Sequence, residues 1–99
     1  MAGQSLIFHP AATADARKVA SKYGAISAKL AARFWKELDE AIEGIASHPA
    51  RHHFDGSGMR RSNLRKFPYH LLFEELLDGI HIIVIRHNRR NPGYGLKRR

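Results

Sequence analysis

Two apolar segments that meet at a turn signal constrain the fold of this 99-residue chain most strongly. They run from Tyr69 to Leu77 and from Ile80 to His87, and both are rich in the branched and aromatic residues that strands favour. Between them stands Asp78-Gly79, a pair typical of two-residue turns in antiparallel hairpins. The pattern therefore predicts a long β-hairpin in the last third of the chain.

The turn position fixes which residues of the hairpin face each other. With Asp78-Gly79 as the turn, Leu77 lies opposite Ile80, and counting outward places His70 opposite His87. The two histidines are then cross-strand neighbours on one face, ~5 Å apart at Cβ.

The first half of the chain has the spacing of two helices preceded by a short strand over residues 5–9. Pro10 suits the first turn of a helix from Ala11 to Tyr23, and Gly24 is a natural stop. A second helix is predicted from Ile26 to Ser47, where the following His48-Pro49 ends it. Apolar residues at three- and four-residue intervals form one stripe along this helix: Ile26, Leu30, Phe34, Leu38, Ala41, Ile42 and Ile45.

A polar loop over residues 52–58 and a strand from Met59 to Lys66 complete the order β-α-α-β-β-β. This order predicts a single α+β domain over residues 1–99, in which an antiparallel or mixed sheet packs against a helical hairpin. Residues 88–99 are expected to form a basic C-terminal tail.

Several classes of protein are disfavoured by what the sequence lacks. Without cysteine it has no disulfides and no thiolate metal site, and its seven histidines show no zinc-binding spacing. We therefore expect no metal and no cofactor. No apolar run approaches the ~20 residues that cross a bilayer, and the N-terminus does not read as a signal peptide, so we expect a cytoplasmic protein without membrane contact.

Positive charge is concentrated in the last forty residues. From Arg60 onward there are ten Lys and Arg against three acidic residues, whereas the first 59 residues hold seven against six. Such asymmetry points to a polyanionic or acidic partner. Basic, imidazole and phenol groups of this region form the candidate set: Arg60, Arg61, Arg65, Lys66, His87, Arg89, Arg90 and Tyr94.

This set contains the groups that RNA cleavage by a 2′-hydroxyl requires, namely a base, an acid and cations around the phosphorane. His87 or Tyr94 would exchange protons, and Arg61, Arg65 or Arg90 would hold the phosphate. The alternatives are that His87 is a hydrogen-bonded strand-end residue and that Tyr94 packs the tail onto the sheet. The candidate catalytic residues are thus His87, Arg65, Arg90 and Tyr94. The candidate binding residues are Arg60, Arg61, Lys66 and Arg89.

The same residues resemble a known family. Phe67-Pro68-Tyr69-His70, then an apolar strand, then the run from Arg86 to Tyr94 (Arg-His-Asn-Arg-Arg-Asn-Pro-Gly-Tyr) is similar to the C-terminal half of RelE/ParE toxins from bacterial type II toxin–antitoxin pairs. The N-terminal half agrees through its strand, His9-Pro10-Ala11-Ala12, the helical hairpin and Ser47-His48-Pro49. The resemblance covers nearly the whole chain.

The resemblance implies a growth-inhibiting toxin, neutralised in a hetero-oligomer by a cognate antitoxin. RelE-like members cleave mRNA on the ribosome with basic sheet residues and a C-terminal Tyr or a His, which implies roles for Arg61, Arg65, His87 and Tyr94. ParE-like members act on DNA gyrase and lack that catalytic set. Both targets remain open, and so do a non-catalytic nucleic-acid-binding module and a basic protein with an acidic protein partner.

Overall fold

The computed structural model describes residues 4–99 as one mixed α+β unit in the predicted order β-α-α-β-β-β. The elements are β1 (Leu6–Phe8), α1 (Pro10–Ile26), α2 (Ala28–Ser47), β2 (Arg60–Asn63), β3 (Tyr69–Leu76) and β4 (Gly79–His87). Two short 3₁₀ turns lie at Pro49–Arg51 and Leu96–Arg98. Within residues 4–99, no helix combines the length and the apolar character needed to span a bilayer.

The four strands form one sheet in the order β1-β4-β3-β2. β1 runs parallel to β4, with Leu6 opposite Ile80 and Phe8 opposite Ile82, and the other two pairs are antiparallel. The first strand therefore lies beside the last. The helical hairpin follows β1 and crosses one face of the sheet before the chain reaches β2 at the opposite edge. β1 ends at Phe8, so the second half of β4 extends beyond its neighbour.

The β3–β4 hairpin exists as predicted, but the predicted register was wrong. Leu76 pairs with Gly79, so the two turn residues are Leu77 and Asp78 rather than Asp78 and Gly79. Gly79 belongs to β4 and has a φ of 141°, which favours glycine. It approaches Ser5, the residue before β1, so closely that a Cβ would lie 2.5 Å from the Ser5 carbonyl oxygen. Packing against β1 therefore overrides the local turn signal.

A β-bulge then shifts the register again. Ile83 has no partner on β3, because Leu72 pairs with Val84 and Phe73 pairs with Ile82. As a result His70 lies opposite Arg86, and His87 lies opposite Tyr69. The predicted His70–His87 pair does not form.

The two helices differ from their predicted bounds where they meet. α1 continues through Gly24 to Ile26, so the predicted stop was wrong, and α2 begins at Ala28 rather than Ile26. Ser27 makes the break: its hydroxyl accepts the Leu30 N–H at 3.0 Å and its own N–H donates to Tyr23. Ile26 is 74% exposed and so is not part of the apolar stripe.

The larger core lies between the helices and one face of the sheet. Phe34 and Ile45 of α2 are fully buried against Leu71 and Phe73 of β3. Four aromatic rings pack together in its centre, with neighbouring centroids 5.0–6.3 Å apart: Tyr23, Phe34, Phe67 and Tyr69. The predicted helical stripe, except Ile26, therefore packs against the sheet as its periodicity indicated.

A second, smaller core lies on the opposite face of the sheet. It consists of buried Met59, Leu72, Ile83 and Val84, and the tail covers it with Tyr94 and Leu96. β2 is shorter than predicted, because Met59 and Leu64 lie outside it and fill core positions instead. The basic tail is therefore a packed part of the domain.

Candidate functional site

The tail is fixed to the second face of the sheet by main-chain contacts. The Arg86 guanidinium Nη1 donates to the carbonyl oxygens of Pro92 at 2.8 Å and of Tyr94 at 3.1 Å. Gly95 has a φ of 83°, and a Cβ there would lie 2.6 Å from Cγ2 of Val84. The left-handed conformation and the close approach together restrict this position to glycine. The path of the chain after β4, and with it the position of Tyr94, depends on these contacts.

One buried carboxylate joins the tail to α1. Asp15 accepts the Ile85 N–H at 3.1 Å, the Tyr94 hydroxyl at 2.6 Å and Arg98 Nη1 at 2.7 Å. The first of these contacts satisfies a main-chain donor of β4 beyond the end of β1. Arg98 also donates to the Ile83 carbonyl oxygen at 3.1 Å, and its hydrogen bond to Asp15 raises the pKa of the guanidinium.

An open cavity of about 190 Å³ lies between α1 and the C-terminal end of β4, and we call it the α1–β4 cleft. Its lining combines cations, aromatic rings and apolar side chains: Asp15, Lys18, Val19, Lys22, Tyr69, Ile85, Arg86, His87, Arg90 and Tyr94. Three of the four candidate catalytic residues, His87, Arg90 and Tyr94, therefore lie in one place. Lys18 and Lys22 were not among the predicted site residues, although their spacing of four residues places them on one face of a helix.

The three convergent residues are already engaged by neighbours. The Tyr94 ring lies 4.2 Å from the Arg90 guanidinium and 4.9 Å from that of Arg98, while its hydroxyl donates to Asp15. His87 Nδ1 accepts the Arg89 N–H at 3.0 Å, and its ring packs edge-on to Tyr69 with centroids 5.1 Å apart. These contacts orient the side chains of Tyr94 and His87.

Arg65, the fourth candidate catalytic residue, lies elsewhere. Its side chain is 79% exposed and contacts Glu40 of α2 at 3.3 Å. Lys66 lies beside it, and its main-chain N–H donates to Glu37 at 2.6 Å. Both residues line a groove along α2 that shares no lining residue with the α1–β4 cleft.

The remaining candidate binding residues lie on β2 and in the tail. Arg60 packs over the Phe54 ring at 4.2 Å and forms an ion pair with Glu75 at 3.3 Å. Arg61 donates to Asn63 at 2.8 Å and lies 3.5 Å from an Asp55 oxygen, and exposed Arg89 follows the end of β4. Arg61 and Arg90 line one further cavity, whereas Arg65 and Lys66 lie in the groove along α2, so the eight predicted residues do not form a single site.

A buried polar network that the sequence did not predict lies at the second face of the sheet. His70 is 1% exposed; its Nε2 accepts from Arg86 Nε at 2.9 Å, and its Nδ1 lies 2.9 Å from Asn88 Oδ1. Arg86 can only donate, so the His70 proton is on Nδ1 and the ring is neutral. Burial lowers the pKa of His70, and the cations Arg61 and Arg86 lower it further. The register error hid this network, because His70 was expected to face His87.

Asp55 completes this network from the loop before β2. Burial alone would raise the pKa of its carboxyl, but hydrogen bonds from Ser57 and the charges of Arg86 and Arg61 lower it overall. The network borders an open cavity of about 430 Å³ between that loop and the tail. Its hydrogen bonds hold Arg61 and Arg86 in place, which is a structural role on the face opposite the helices.

The site chemistry is that of anion binding. Within residues 4–99, no group of three or more His, Cys, Asp and Glu side chains could hold a metal ion. The α1–β4 cleft instead presents lysine, arginine and imidazole groups around an apolar floor.

Residues 6–92 match the family model described as the ParE toxin of the type II toxin–antitoxin system, parDE. No curated protein matches the chain.

Proposed function

The chain belongs to the ParE toxin family of type II toxin–antitoxin systems, and from this premise we propose that it inhibits growth by binding DNA gyrase rather than by cleaving mRNA. As a type II toxin it has a cognate antitoxin as its partner. Its site of action on this proposal is the cytoplasm, where gyrase acts on DNA.

One observation supports binding over cleavage: the four residues expected to form a nuclease site do not meet. Arg65 contacts Glu40 of α2, whereas His87, Arg90 and Tyr94 line the α1–β4 cleft. The Tyr94 hydroxyl is a donor to Asp15, which leaves its proton held by a carboxylate. A ribonuclease needs its acid, base and phosphate-binding cations around one phosphate.

In this proposal the basic residues form contacts to the target instead of performing proton transfer. Arg89 and Arg90 project from the end of β4, and His87 lies beside them. Arg60, Arg61, Arg65 and Lys66 add positive charge on the β2 side. Charges of this kind mainly set the rate and specificity of association.

A pair of assays on the purified chain tests the proposal. With gyrase, relaxed plasmid and ATP, the chain should block supercoiling and accumulate DNA breaks. Arg90→Ala should raise the concentration needed about 10-fold, whereas the control Arg17→Ala on the exposed side of α1 should have little effect. Normal supercoiling at a saturating concentration of the chain would refute the proposal.

Ribosome-dependent mRNA cleavage is the second candidate, because His87, Arg90 and Tyr94 share one cleft with Lys18 and Lys22. Toeprinting on translating ribosomes distinguishes the two functions. Position-specific mRNA cuts that disappear in His87→Ala and Tyr94→Phe would support cleavage. Cuts that persist in both variants would show that these side chains are not the catalytic groups.

A further inference from the structure

The α1–β4 cleft has an excess of positive charge around an apolar floor. Lys18 and Lys22 stand one helical turn apart on the α1 side, and Arg90 stands on the tail side. Val19 and Ile85, both buried, form the floor between them.

Three cations of the cleft have no carboxylate partner among the residues that the structure describes. Among residues 4–99, Lys18, Lys22 and Arg90 take part in none of the seven ion pairs. Asp15 is the only acid in the lining, and Arg98 and Tyr94 already occupy both of its oxygens. An anionic ligand would therefore meet three cations without competition from an internal carboxylate.

The tail fixes the shape of the cleft before any ligand arrives. Tyr94 forms one wall, and it is held by its hydrogen bond to Asp15 and by the Arg90 and Arg98 guanidinium groups on its ring. Asp15 itself belongs to α1 and is buried. A wall tied to both sides of the cleft needs little reorganisation on binding, which favours affinity.

We propose that the α1–β4 cleft receives an acidic and apolar segment of the cognate antitoxin. One apolar side chain of the segment lies on the floor formed by Val19 and Ile85, and neighbouring carboxylates pair with Lys18, Lys22 and Arg90. The proposal rests on the toxin role of the chain and not on the choice of gyrase as target. A nucleic-acid phosphate would satisfy the cations but would leave the apolar floor unfilled, so the peptide is the better fit.

Occupation of the cleft would also explain how the antitoxin neutralises the toxin. The segment would cover His87 and Arg90, which are among the residues proposed above to contact the target. Antitoxin and target would then compete for one surface.

Charge reversal on α1 tests the proposal. The probe is the antitoxin itself, purified from its complex with the toxin in cells that express the native gene pair. Lys18→Glu and Lys22→Glu should each weaken antitoxin binding at least about 10-fold, because an opposed charge replaces an attractive one. Arg17→Glu is the matched control, since it changes the net charge equally from an exposed position outside the cleft. It should weaken binding less than about 3-fold, by long-range attraction alone. Circular dichroism checks that all three variants are folded.

Two further measurements distinguish the outcomes. Antitoxin affinity is measured on the isolated proteins and does not depend on toxicity, so a chain that does not act on gyrase would fail in the supercoiling assay and leave this result intact. Equal loss of antitoxin affinity in Arg17→Glu and Lys18→Glu would overturn the proposal. So would variants that keep antitoxin affinity while losing affinity for a short DNA duplex, which would assign the cleft to nucleic acid.

Discussion

The two faces of the sheet are held by different kinds of interaction. On the helical face, two amphipathic helices bury a continuous apolar layer around Phe34 and Phe73. On the tail face, only four buried apolar residues are covered by Tyr94 and Leu96, and polar contacts of Arg86, Asp15 and Arg98 fix the covering segment. The comparison shows that the stable framework and the candidate site depend on separate interactions, so that substitutions should affect the two faces differently.

The largest effect should come from the centre of the helical face. Phe34→Ala removes a fully buried ring that packs against Tyr23, Phe67 and Tyr69, and it should lower the free energy of unfolding by about 4 kcal/mol. Urea denaturation followed by circular dichroism measures this loss. Phe54→Ala, at a 65% exposed ring, should cost less than about 1 kcal/mol. Similar losses in the two variants would contradict the assignment of the main core.

The next largest effect should come from the junction of the two faces. Asp15→Asn keeps the shape of the side chain but leaves Arg98, whose side chain is 16% exposed, without its counter-charge. We expect a loss of about 3 kcal/mol in the free energy of unfolding. Asp39→Asn, an equal charge change at an exposed position of α2, should stay within about 0.5 kcal/mol of the parent protein.

The Asp15 prediction has a second readout that belongs to the tail face alone. Hydrogen exchange at the Ile85 amide, which donates to Asp15, should accelerate more than exchange at amides in the middle of α2. Uniform acceleration throughout the domain would mean that the carboxylate supports the whole fold rather than the tail.

A smaller effect is expected from the tail backbone. Gly95→Ala places a Cβ against Val84 at a residue with positive φ and should cost about 2 kcal/mol. Gly44→Ala is its counterpart on the helical face, where nothing lies within 4 Å of the added methyl group. That change should stabilise the protein by about 0.5–1 kcal/mol, because alanine favours the helix. Thermal unfolding of both variants checks that they shift in opposite directions.

The smallest effect should appear as a dependence on pH. Burial lowers the pKa of His70 in the folded protein. The same imidazole is protonated in the unfolded chain below a pH of about 6.5, so protons bind preferentially to the unfolded state. Stability should therefore fall as the pH decreases from 7 to 5, by up to about 1.4 kcal/mol per pH unit from this group.

Comparison with His70→Gln isolates that contribution. The stability advantage of the parent protein over His70→Gln should shrink as the pH is lowered, as measured by urea unfolding at pH 7, 6 and 5. Replacement of exposed His53 by Gln controls for the loss of a histidine in general. A constant difference between parent and His70→Gln over this range would mean that His70 does not resist protonation in the folded state.

The sequence predicted the helical face well because that face is built from periodic apolar residues. Phe34, Leu38 and Ile45 are buried at the spacing that indicated them, and the element order is as predicted. The hairpin register failed because two long-range features, the contact of Gly79 with Ser5 and the bulge at Ile83, outweighed a local turn preference. Neither feature can be predicted from the local sequence pattern.

The tail face was harder to predict, because it depends on single contacts between distant residues. Asp15 lies near the start of α1, yet it binds Tyr94 and Arg98, which follow it by 79 and 83 residues. Lys18 and Lys22 were not predicted as site residues for the same reason, because they are distant from His87 in the sequence. Of the candidate site, only the convergence of His87, Arg90 and Tyr94 followed from their proximity in the chain.

The pairing of β1 with β4 also bears on how the protein is made. Residues 6–8 pair with residues 80–82, which are made much later, and Asp15 binds Arg98, which follows it by 83 residues. A nascent chain can form the helical hairpin early, since those contacts are local, but the sheet and the α1–β4 cleft can form only after β4 and the tail have been made. The sheet and the cleft therefore form after the helical hairpin, and a chain cut short before Arg98 lacks one of the contacts that hold its tail in place.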